Sequence, residues 1–130
     1  MKERLDGKRI RAAIEEQQRR PTEIVVTEAE SLPFGGRHVG LAAFQALVRR
    51  VFLLWRDTRV EVDRLIGDGE YVVVLATMHA RSKADGATLC MPIAEVWRLE
   101  NGRVKEIRPF YFDTRKFVDV LEGSPSAHSR

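Results

Sequence analysis

The strongest chemical signal in this chain is a glutamate on the apolar side of a predicted strand. Strand side chains alternate between two faces, so every second residue shares a face. A carboxylate among large apolar groups is costly to ionise, so it is protonated, paired with a cation or used in chemistry. The face in question carries Leu89, Met91, Ile93, Glu95, Trp97 and Leu99.

Two turn signals predict the neighbours of Glu95. Asn101-Gly102 between apolar runs favours a two-residue hairpin turn, which places Arg108 opposite Glu95. The same rule applied to Asp85-Gly86 places Ala76 on the other side of the acid. Free space over a small alanine, beside two placed charges, predicts an apolar ligand pocket. The predicted lining consists of Phe34, Phe44, Trp55, Val74, Ala76, Met78, Met91, Ile93, Trp97, Phe110 and Phe112.

Three roles for Glu95 follow from this pairing. The residue lines the pocket, or it forms a cross-strand ion pair with Arg108 that stabilises the sheet by about 0.2–1 kcal/mol. In the third, a bulge near Pro109 slips the register and exposes Glu95 to solvent or to a partner subunit. With Arg108 opposite, the carboxylate stays ionised and is a poor proton donor. Without it, burial raises the pKa of Glu95 and makes it a candidate acid.

Other residues offer weaker chemical signals. Glu28 and Glu30 precede a Pro-Gly loop, where either is a candidate general base at the pocket mouth and exposed loop acids are the alternative. Tyr111 and Asp113 end the last strand, and Asp113 is predicted to be a cap or turn residue. His79 falls on the face opposite Glu95, which indicates an exposed or interface position.

The elements that must position these residues follow an α+β order, with helices first and an antiparallel meander after them. Helical spacing of apolar residues gives way to a period of two, and Gly-containing turns separate the later segments. We expect one domain over 1–122 and a frayed tail over 123–130. The predicted elements are helices over 8–20 and 41–55, and strands over 23–27, 60–66, 70–81, 88–100 and 103–113.

Composition argues against several classes of function. The 130 residues are 44% hydrophobic and 32% charged, which is typical of a soluble globular domain. The net charge of +3 comes from residues 1–20, with seven Lys/Arg and four Asp/Glu, so no basic groove for nucleic acid is indicated. Cys90 is the single cysteine, and three histidines lack ligand spacing, so neither a disulfide nor a metal site is predicted. Without an apolar run of about 20 residues, we expect no membrane span and a cytoplasmic location.

Three segments in a fixed order carry a family resemblance. They are LPFGGRHVG over 32–40 with the helix behind it, GDGEYVVV over 67–74, and MPIAEVWRLENGRVKEIRPFYFD over 91–113. Over about residues 24–117 they resemble the nuclear-transport-factor-two-like superfamily and, within it, the SnoaL-like branch that includes polyketide cyclases. The resemblance implies a cone-shaped α+β fold, in which a curved antiparallel sheet wraps around N-terminal helices and encloses a pocket. Homodimers are common in this superfamily.

The resemblance also implies roles for some residues. Its ketosteroid-isomerase branch keeps an acid on the strand similar to 88–100, where Glu95 matches, and a base after the first strand, where Glu28 or Glu30 is nearest. The oxyanion-hole tyrosine of that branch has no counterpart in residues 1–20. The Asp-Arg-Asp arrangement of the epoxide-hydrolase branch is not reproduced, since Trp97 stands two residues from Glu95.

The sequence thus predicts a pocket protein that acts on a small, largely apolar molecule by acid–base chemistry, without metal or organic cofactor. The reaction would be that of an isomerase, a cyclase, or a hydrolase or lyase. Glu95 would donate or exchange the proton, Arg108 would tune it or bind an oxyanion, and Glu28 or Glu30 would be the base. The alternatives are a non-catalytic ligand-binding or dimerisation domain, and a protein-interaction module that uses the exposed face of the sheet.

Overall fold

A computed structural model of the chain describes residues 23–123. The predicted helix over 8–20, and the predicted tail apart from its first residue, lie outside the described residues. Within them the strands are β1 (Val25–Glu28), β2 (Gly36–Val39), β3 (Trp55–Asp68), β4 (Tyr71–Ser82), β5 (Thr88–Glu100) and β6 (Arg103–Tyr111), and the helices are α1 (Leu41–Leu53) and α2 (Thr114–Glu122).

The six strands form one curved, open sheet in the order β2-β1-β6-β5-β4-β3. Neighbouring strands are antiparallel except β1 and β6, which pair in parallel. The predicted α+β fold and the meander of the last four strands are confirmed. The parallel pair makes the sheet mixed, because the chain returns from the far edge to place β6 beside the first strand.

One face of the sheet, here called the concave face, carries the core. On β4 the buried residues alternate strictly from Val72 to Ser82, and on β5 they include Leu89 and Trp97. Helix α1 lies over this face with Leu47 buried. The helix ends at Leu53, two residues before its predicted end, and the strand behind it begins at Trp55.

A single bulge sets the register between β5 and β6. The Asn101-Gly102 turn forms as predicted, with φ angles of 53° and 75°, as a two-residue hairpin requires. Leu99 accordingly pairs with Val104, but the next pair joins Arg98 to Glu106. Lys105 is therefore an extra residue, and such a bulge moves each later side chain of its strand to the opposite face.

The bulge overturns the predicted pairing of Glu95 with Arg108. Glu95 pairs with Pro109, and Arg108 pairs with Val96 on the convex face, where it is exposed. The predicted slip near Pro109 is wrong as well, since the bulge lies four residues earlier and leaves Glu95 on the concave face. Phe110 turns outward for the same reason and is 51% exposed.

The connection between β4 and β5 is longer than a two-residue turn. Ser82 pairs with Ala87 through a backbone hydrogen bond of 2.8 Å, so four residues, 83–86, form the loop. The register therefore shifts by two residues, which preserves the face of every side chain. Glu95 pairs with Val74 and not with Ala76, which pairs with Ile93.

Two short elements were not predicted. One is β2, which pairs with β1 and consists of residues that were predicted to be loop or had no predicted structure. The other is α2, which follows β6. The Oδ1 of Asp113 accepts a hydrogen bond from the backbone N–H of Lys116 over 3.0 Å, which confirms Asp113 as a cap. Phe117 and Val120 of α2 are buried and fill one end of the concave face.

Candidate functional site

A cavity of about 270 Å³ lies between α1 and the concave face. Its wall combines the apolar side of the helix with inward-facing side chains of five strands. Polar groups are few, and two of them are carboxyls. The lining consists of Val26, Glu28, Phe44, Leu47, Val48, Val51, Phe52, Thr58, Val60, Met78, Ile93, Glu95, Trp97, Ile107, Pro109 and Tyr111.

Glu95 reaches the cavity from the middle of β5. The Nε1 of Trp97, two residues along the same face, donates a hydrogen bond of 2.9 Å to its Oε1. Burial raises the pKa of Glu95, and the Trp97 bond opposes that rise because it stabilises the anion. The carboxylate is thus desolvated, yet it has one donor from the protein.

Glu28 reaches the same cavity from the end of β1 and is 5% exposed. Its Oε1 is buried and has no hydrogen-bond partner among the described residues. Burial, together with the nearby charge of Glu95, raises the pKa of Glu28 from 4.5 to about 8. Glu28 is therefore predominantly protonated at neutral pH.

The sheet register explains why the two acids are neighbours. Val26 pairs with Ile107, so continuing that register by two residues puts Glu28 beside Pro109, which pairs with Glu95 on its other side. The three residues form a row across the concave face. Two strand spacings separate the Cα atoms of the acids by roughly 10 Å, within which two glutamate side chains can approach each other. The proline between them has no N–H that could bind either carboxyl.

Tyr111 and Thr58 supply the other polar groups of the cavity wall. Burial and the charges of Glu28 and Glu95 raise the pKa of Tyr111, so its hydroxyl keeps its proton. The Oγ1 of Thr58 is buried without a hydrogen-bond partner among residues 23–123. The cavity therefore offers one protonated phenol and one unbonded hydroxyl besides its two acids.

The predicted pocket residues separate into three groups. Phe44, Met78, Ile93 and Trp97 line the cavity. Phe34 and Trp55 pack edge-to-face against Phe117 of α2, and Val74, Ala76 and Met91 are buried in the same core cluster. Phe110 and Phe112 lie outside the cavity, 51% and 82% exposed.

The structure also places Glu28, Glu30 and Arg108 in three different environments. Glu28 is buried in the cavity wall, whereas Glu30 is exposed in the loop after β1. That loop folds back on itself, because a Cβ on Gly35 would lie 2.4 Å from the carbonyl oxygen of Ala29. Arg108, on the convex face, neither pairs with Glu95 nor lines the cavity.

The convex face carries the remaining candidates. His79 lies there as predicted, with Nε2 2.6 Å from Oε1 of Glu61, and Cys90 is an exposed strand residue opposite it. Across residues 23–123, no group of three His, Cys, Asp or Glu side chains could hold a metal ion. The described helices are also too short and too polar to cross a membrane.

Several lining residues were missed by the sequence reasoning. Val48, Val51 and Leu47 belong to the apolar stripe of the predicted helix, so the stripe itself was the available signal. Thr58 was not found because β3 begins at Trp55, earlier than the predicted strand over 60–66. Ile107 and Pro109 were not predicted to line the cavity, because the bulge places their side chains on the opposite face and no sequence pattern indicates a bulge at this position.

Comparison with known proteins identifies the family of this chain. A sequence model described as "SnoaL-like domain" matches residues 22–107 of the chain. The chain belongs to the SnoaL-like domain family. A search of curated proteins with this sequence found no match.

Solved structures share the fold of this SnoaL-like domain. TerC, co-crystallised with polyporic acid, is 20% identical with a TM-score of 0.74 and covers 88% of this chain and 96% of its own. A structure from Jannaschia, named as a SnoaL-like polyketide cyclase, is 19% identical with a TM-score of 0.72, over 92% of this chain and 82% of its own. A ketosteroid-isomerase-like protein from Catenulispora acidiphila, in complex with trimethylamine, is 14% identical with a TM-score of 0.67, over 82% and 78%. At these identities the likeness concerns the fold.

Proposed function

We propose that the cavity binds a small, largely apolar carbonyl compound and moves a proton within it, as a cofactor-independent isomerase or cyclase. The observation that carries this proposal is the pair of buried acids, Glu28 and Glu95, in one apolar cavity. Two carboxyls whose surroundings favour different protonation states can act as base and acid in the same reaction.

The surroundings assign the roles. Glu95 has the N–H of Trp97 to stabilise its anion, whereas Glu28 has no donor from the described residues and holds its proton up to a pH of about 8. Glu95 is therefore the base and Glu28 the acid, which reverses the assignment made from the sequence. Arg108 has no role in this scheme, because it lies on the other face.

The proton transfer proceeds in two steps. The carboxylate of Glu95 removes a proton from the carbon next to the carbonyl group, and the electron pair of that C–H bond moves to the carbonyl oxygen. The O–H of Glu28, with the Tyr111 hydroxyl as a second donor, stabilises the resulting oxyanion by hydrogen bonds. Glu95 then returns its proton to the same or a neighbouring carbon, which completes exchange or isomerisation.

Related structures support a small-molecule ligand. TerC was co-crystallised with polyporic acid, and the Catenulispora protein is in complex with trimethylamine. The apolar wall of the present cavity is consistent with a ligand of mainly hydrocarbon character.

Deuterium exchange tests the proposal without knowledge of the natural substrate. Small cyclic ketones and enones are incubated with the protein in deuterated buffer, and loss of the α-proton signal is followed by nuclear magnetic resonance. Glu95→Gln is expected to slow the protein-dependent exchange about 100-fold or more, the usual contribution of a general base. Glu28→Gln should slow it less, because an amide still donates a hydrogen bond. Glu30→Gln, which alters the exposed neighbouring acid, should have no effect.

The result against the proposal is exchange that persists in Glu95→Gln while the thermal midpoint is unchanged. In that case the cavity would be a binding site only. Equal loss in Glu30→Gln would also contradict it, because that side chain does not reach the cavity.

We further propose that the convex face forms a homodimer interface. Its apolar side chains include Ile66, Tyr71 and Phe110, which are 44%, 48% and 51% exposed, with half-buried Val73 and Leu75 between them. Analytical ultracentrifugation should give the mass of a dimer for the native chain and of a monomer for Tyr71→Glu with Phe110→Glu. A monomeric native chain would favour the alternative, in which this face binds another protein.

A further inference from the structure

The part of the cavity wall formed by residues 23–123 contains two acids and no Lys, Arg or His. One arginine of α1 and one of β3 bind elsewhere: Arg50 donates to the carbonyl oxygen of Pro33 over 2.8 Å, and Arg59 pairs with Glu61. Since a buried charge without a counter-ion is costly, a cation that enters this cavity relieves that cost.

The acids also have unused capacity to accept hydrogen bonds. The buried Oε1 of Glu28 has no donor among the described residues, although this side chain is 5% exposed and lines the cavity. Trp97 donates to one oxygen of Glu95. A ligand with N–H groups would supply the missing donors, and charge-assisted bonds of this kind are about twice as strong as neutral ones.

Aromatic rings complete the chemistry of the cavity wall. Phe44 and Phe52 of α1, Trp97 of β5 and Tyr111 of β6 all line it. A ring attracts a cation that lies within about 6 Å of its face. At about 270 Å³, the cavity is close to the lower limit of ligand pockets, so the ligand is small.

We propose that this cavity binds small organic ammonium ions, with the charged nitrogen between Glu28 and Glu95 and the hydrocarbon part against α1. The inference names a ligand class for the cavity and rests on the proposed function for the choice of site. It does not require turnover. Anions and quaternary ammonium ions are expected to bind more weakly, the former by repulsion and the latter for lack of an N–H donor.

With the ammonium nitrogen between the two acids, we expect the proton of Glu28 to be displaced. Among residues 23–123, the titratable side chains that face the cavity are Glu28 of β1, Glu95 of β5 and Tyr111 of β6, while α1, β3 and β4 contribute none to the lining. His38 on β2 does not line the cavity, and its Nε2 is bonded to the carbonyl oxygen of Phe34 over 2.8 Å. Glu28 keeps its proton up to a pH of about 8 because it is buried beside Glu95, and an adjacent cation reverses that preference.

Titration calorimetry with a matched ligand series tests the inference. The probes are cyclohexylammonium, cyclohexanol and cyclohexanecarboxylate, which share one ring and differ in charge. The ammonium ion, with a pKa near the value of about 10.4 for a lysine side chain, stays charged throughout. At pH 6.5 it is expected to bind about tenfold or more tightly than the alcohol, because it gains charge-assisted bonds and ring contacts. In buffers of different ionisation enthalpy, its binding should release about one proton at pH 6.5 and almost none at pH 9.5.

Variants assign the effect to the two acids. Glu28→Gln should weaken ammonium binding and remove most of the proton release, whereas the alcohol should bind as before. Glu95→Gln should weaken ammonium binding as well. Glu70→Gln, which changes an exposed acid in the turn before β4, should behave as the native chain.

Two results would overturn the inference: equal affinity for the ammonium ion and the alcohol, or ammonium binding that releases no proton at pH 6.5. The deuterium-exchange experiment on ketones, which tests the proposed function, does not depend on either of these results. Ketone exchange that persists without ammonium selectivity would overturn this inference alone, and ammonium binding without exchange in any ketone would overturn only the proposed function.

Discussion

The indole Nε1 of Trp97 donates a hydrogen bond of 2.9 Å to Oε1 of Glu95. The two residues are two positions apart on one strand, so their side chains share the concave face. Glu28, in the same cavity, receives no such bond from the described residues at its buried Oε1. This difference favours ionisation of Glu95 before Glu28, and the proposed division into base and acid depends on it.

Replacement of Trp97 by phenylalanine tests the bond. Trp97→Phe retains a ring in the cavity wall but removes the donor, so the pKa of Glu95 should rise. The acidic limb of the pH profile for ketone exchange should move upward by about one unit, which corresponds to a lost hydrogen bond of about 1–2 kcal/mol.

Trp55→Phe is the matched control for that variant. The Nε1 of Trp55 is buried but has no hydrogen-bond partner among the described residues, and the ring packs against Phe117. Its replacement should lower the thermal midpoint without moving the pH profile. An unmoved profile in Trp97→Phe would mean that the indole does not set the ionisation of Glu95.

The stability of the domain should fall as the pH rises towards about 8. The folded state holds a proton on Glu28 up to that pH, whereas the unfolded state loses it near the ordinary value of 4.5. The stabilisation is therefore complete below pH 4.5 and is lost as the pH rises through the folded value. Thermal midpoints measured between pH 5 and 9 should fall by on the order of 5 °C or more over this window.

Glu28→Gln should reduce that dependence, because the amide remains neutral at every pH, and the slope that is left belongs to Glu95, whose pKa burial also raises. Glu30→Gln should retain the native slope, since Glu30 is exposed. A native chain with the same midpoint at pH 5 and pH 9 would show that Glu28 titrates as an ordinary acid.

The sequence predicted the acid and its face but not its neighbours. Glu95 stands out because the other residues on its face of β5 are large and apolar, and a shift of two residues in the loop after β4 leaves that face unchanged. Arg108 was misplaced because one extra residue, Lys105, reverses the side chains behind it. Glu28 could not be distinguished from Glu30, since its burial depends on the parallel contact between β1 and β6, which are far apart in the chain.

The unpredicted helix α2 explains two of the pocket residues that proved to be core. Its Phe117 and Val120 are buried at one end of the concave face. Phe34 and Trp55 are in contact with that helix and not with the cavity. Short amphipathic helices of this length carry a weak periodic signal, and this one was not recognised.

Deletion of Lys105 tests the role of the bulge. Lys105 is the unpaired residue, so its removal makes the Leu99–Val104 and Arg98–Glu106 pairs consecutive and leaves Glu95 opposite Pro109. No side chain of β6 changes face, so the deletion should change the free energy of unfolding by only about 1 kcal/mol. Lys105→Ala keeps the bulge and should change the free energy of unfolding by about 0.5 kcal/mol or less. Urea unfolding of both variants gives the comparison. A loss on the order of 4 kcal/mol or more in the deletion variant would contradict the register, because it is expected only if Lys105 were paired and its removal turned the later side chains of β6 to the opposite face.

Titration of the two carboxyl groups by carbon-13 nuclear magnetic resonance tests the central claim most directly. The chain is labelled at the side-chain carboxyl carbons of glutamate, and Glu28→Gln and Glu95→Gln assign the two buried signals. We predict that the Glu28 signal changes with a midpoint of about pH 8, that Glu95 ionises at lower pH than Glu28 but above the ordinary value, and that Glu95→Gln lowers the Glu28 midpoint. Two signals that both titrate near pH 4.5, each unaffected by replacement of the other residue, would contradict the account.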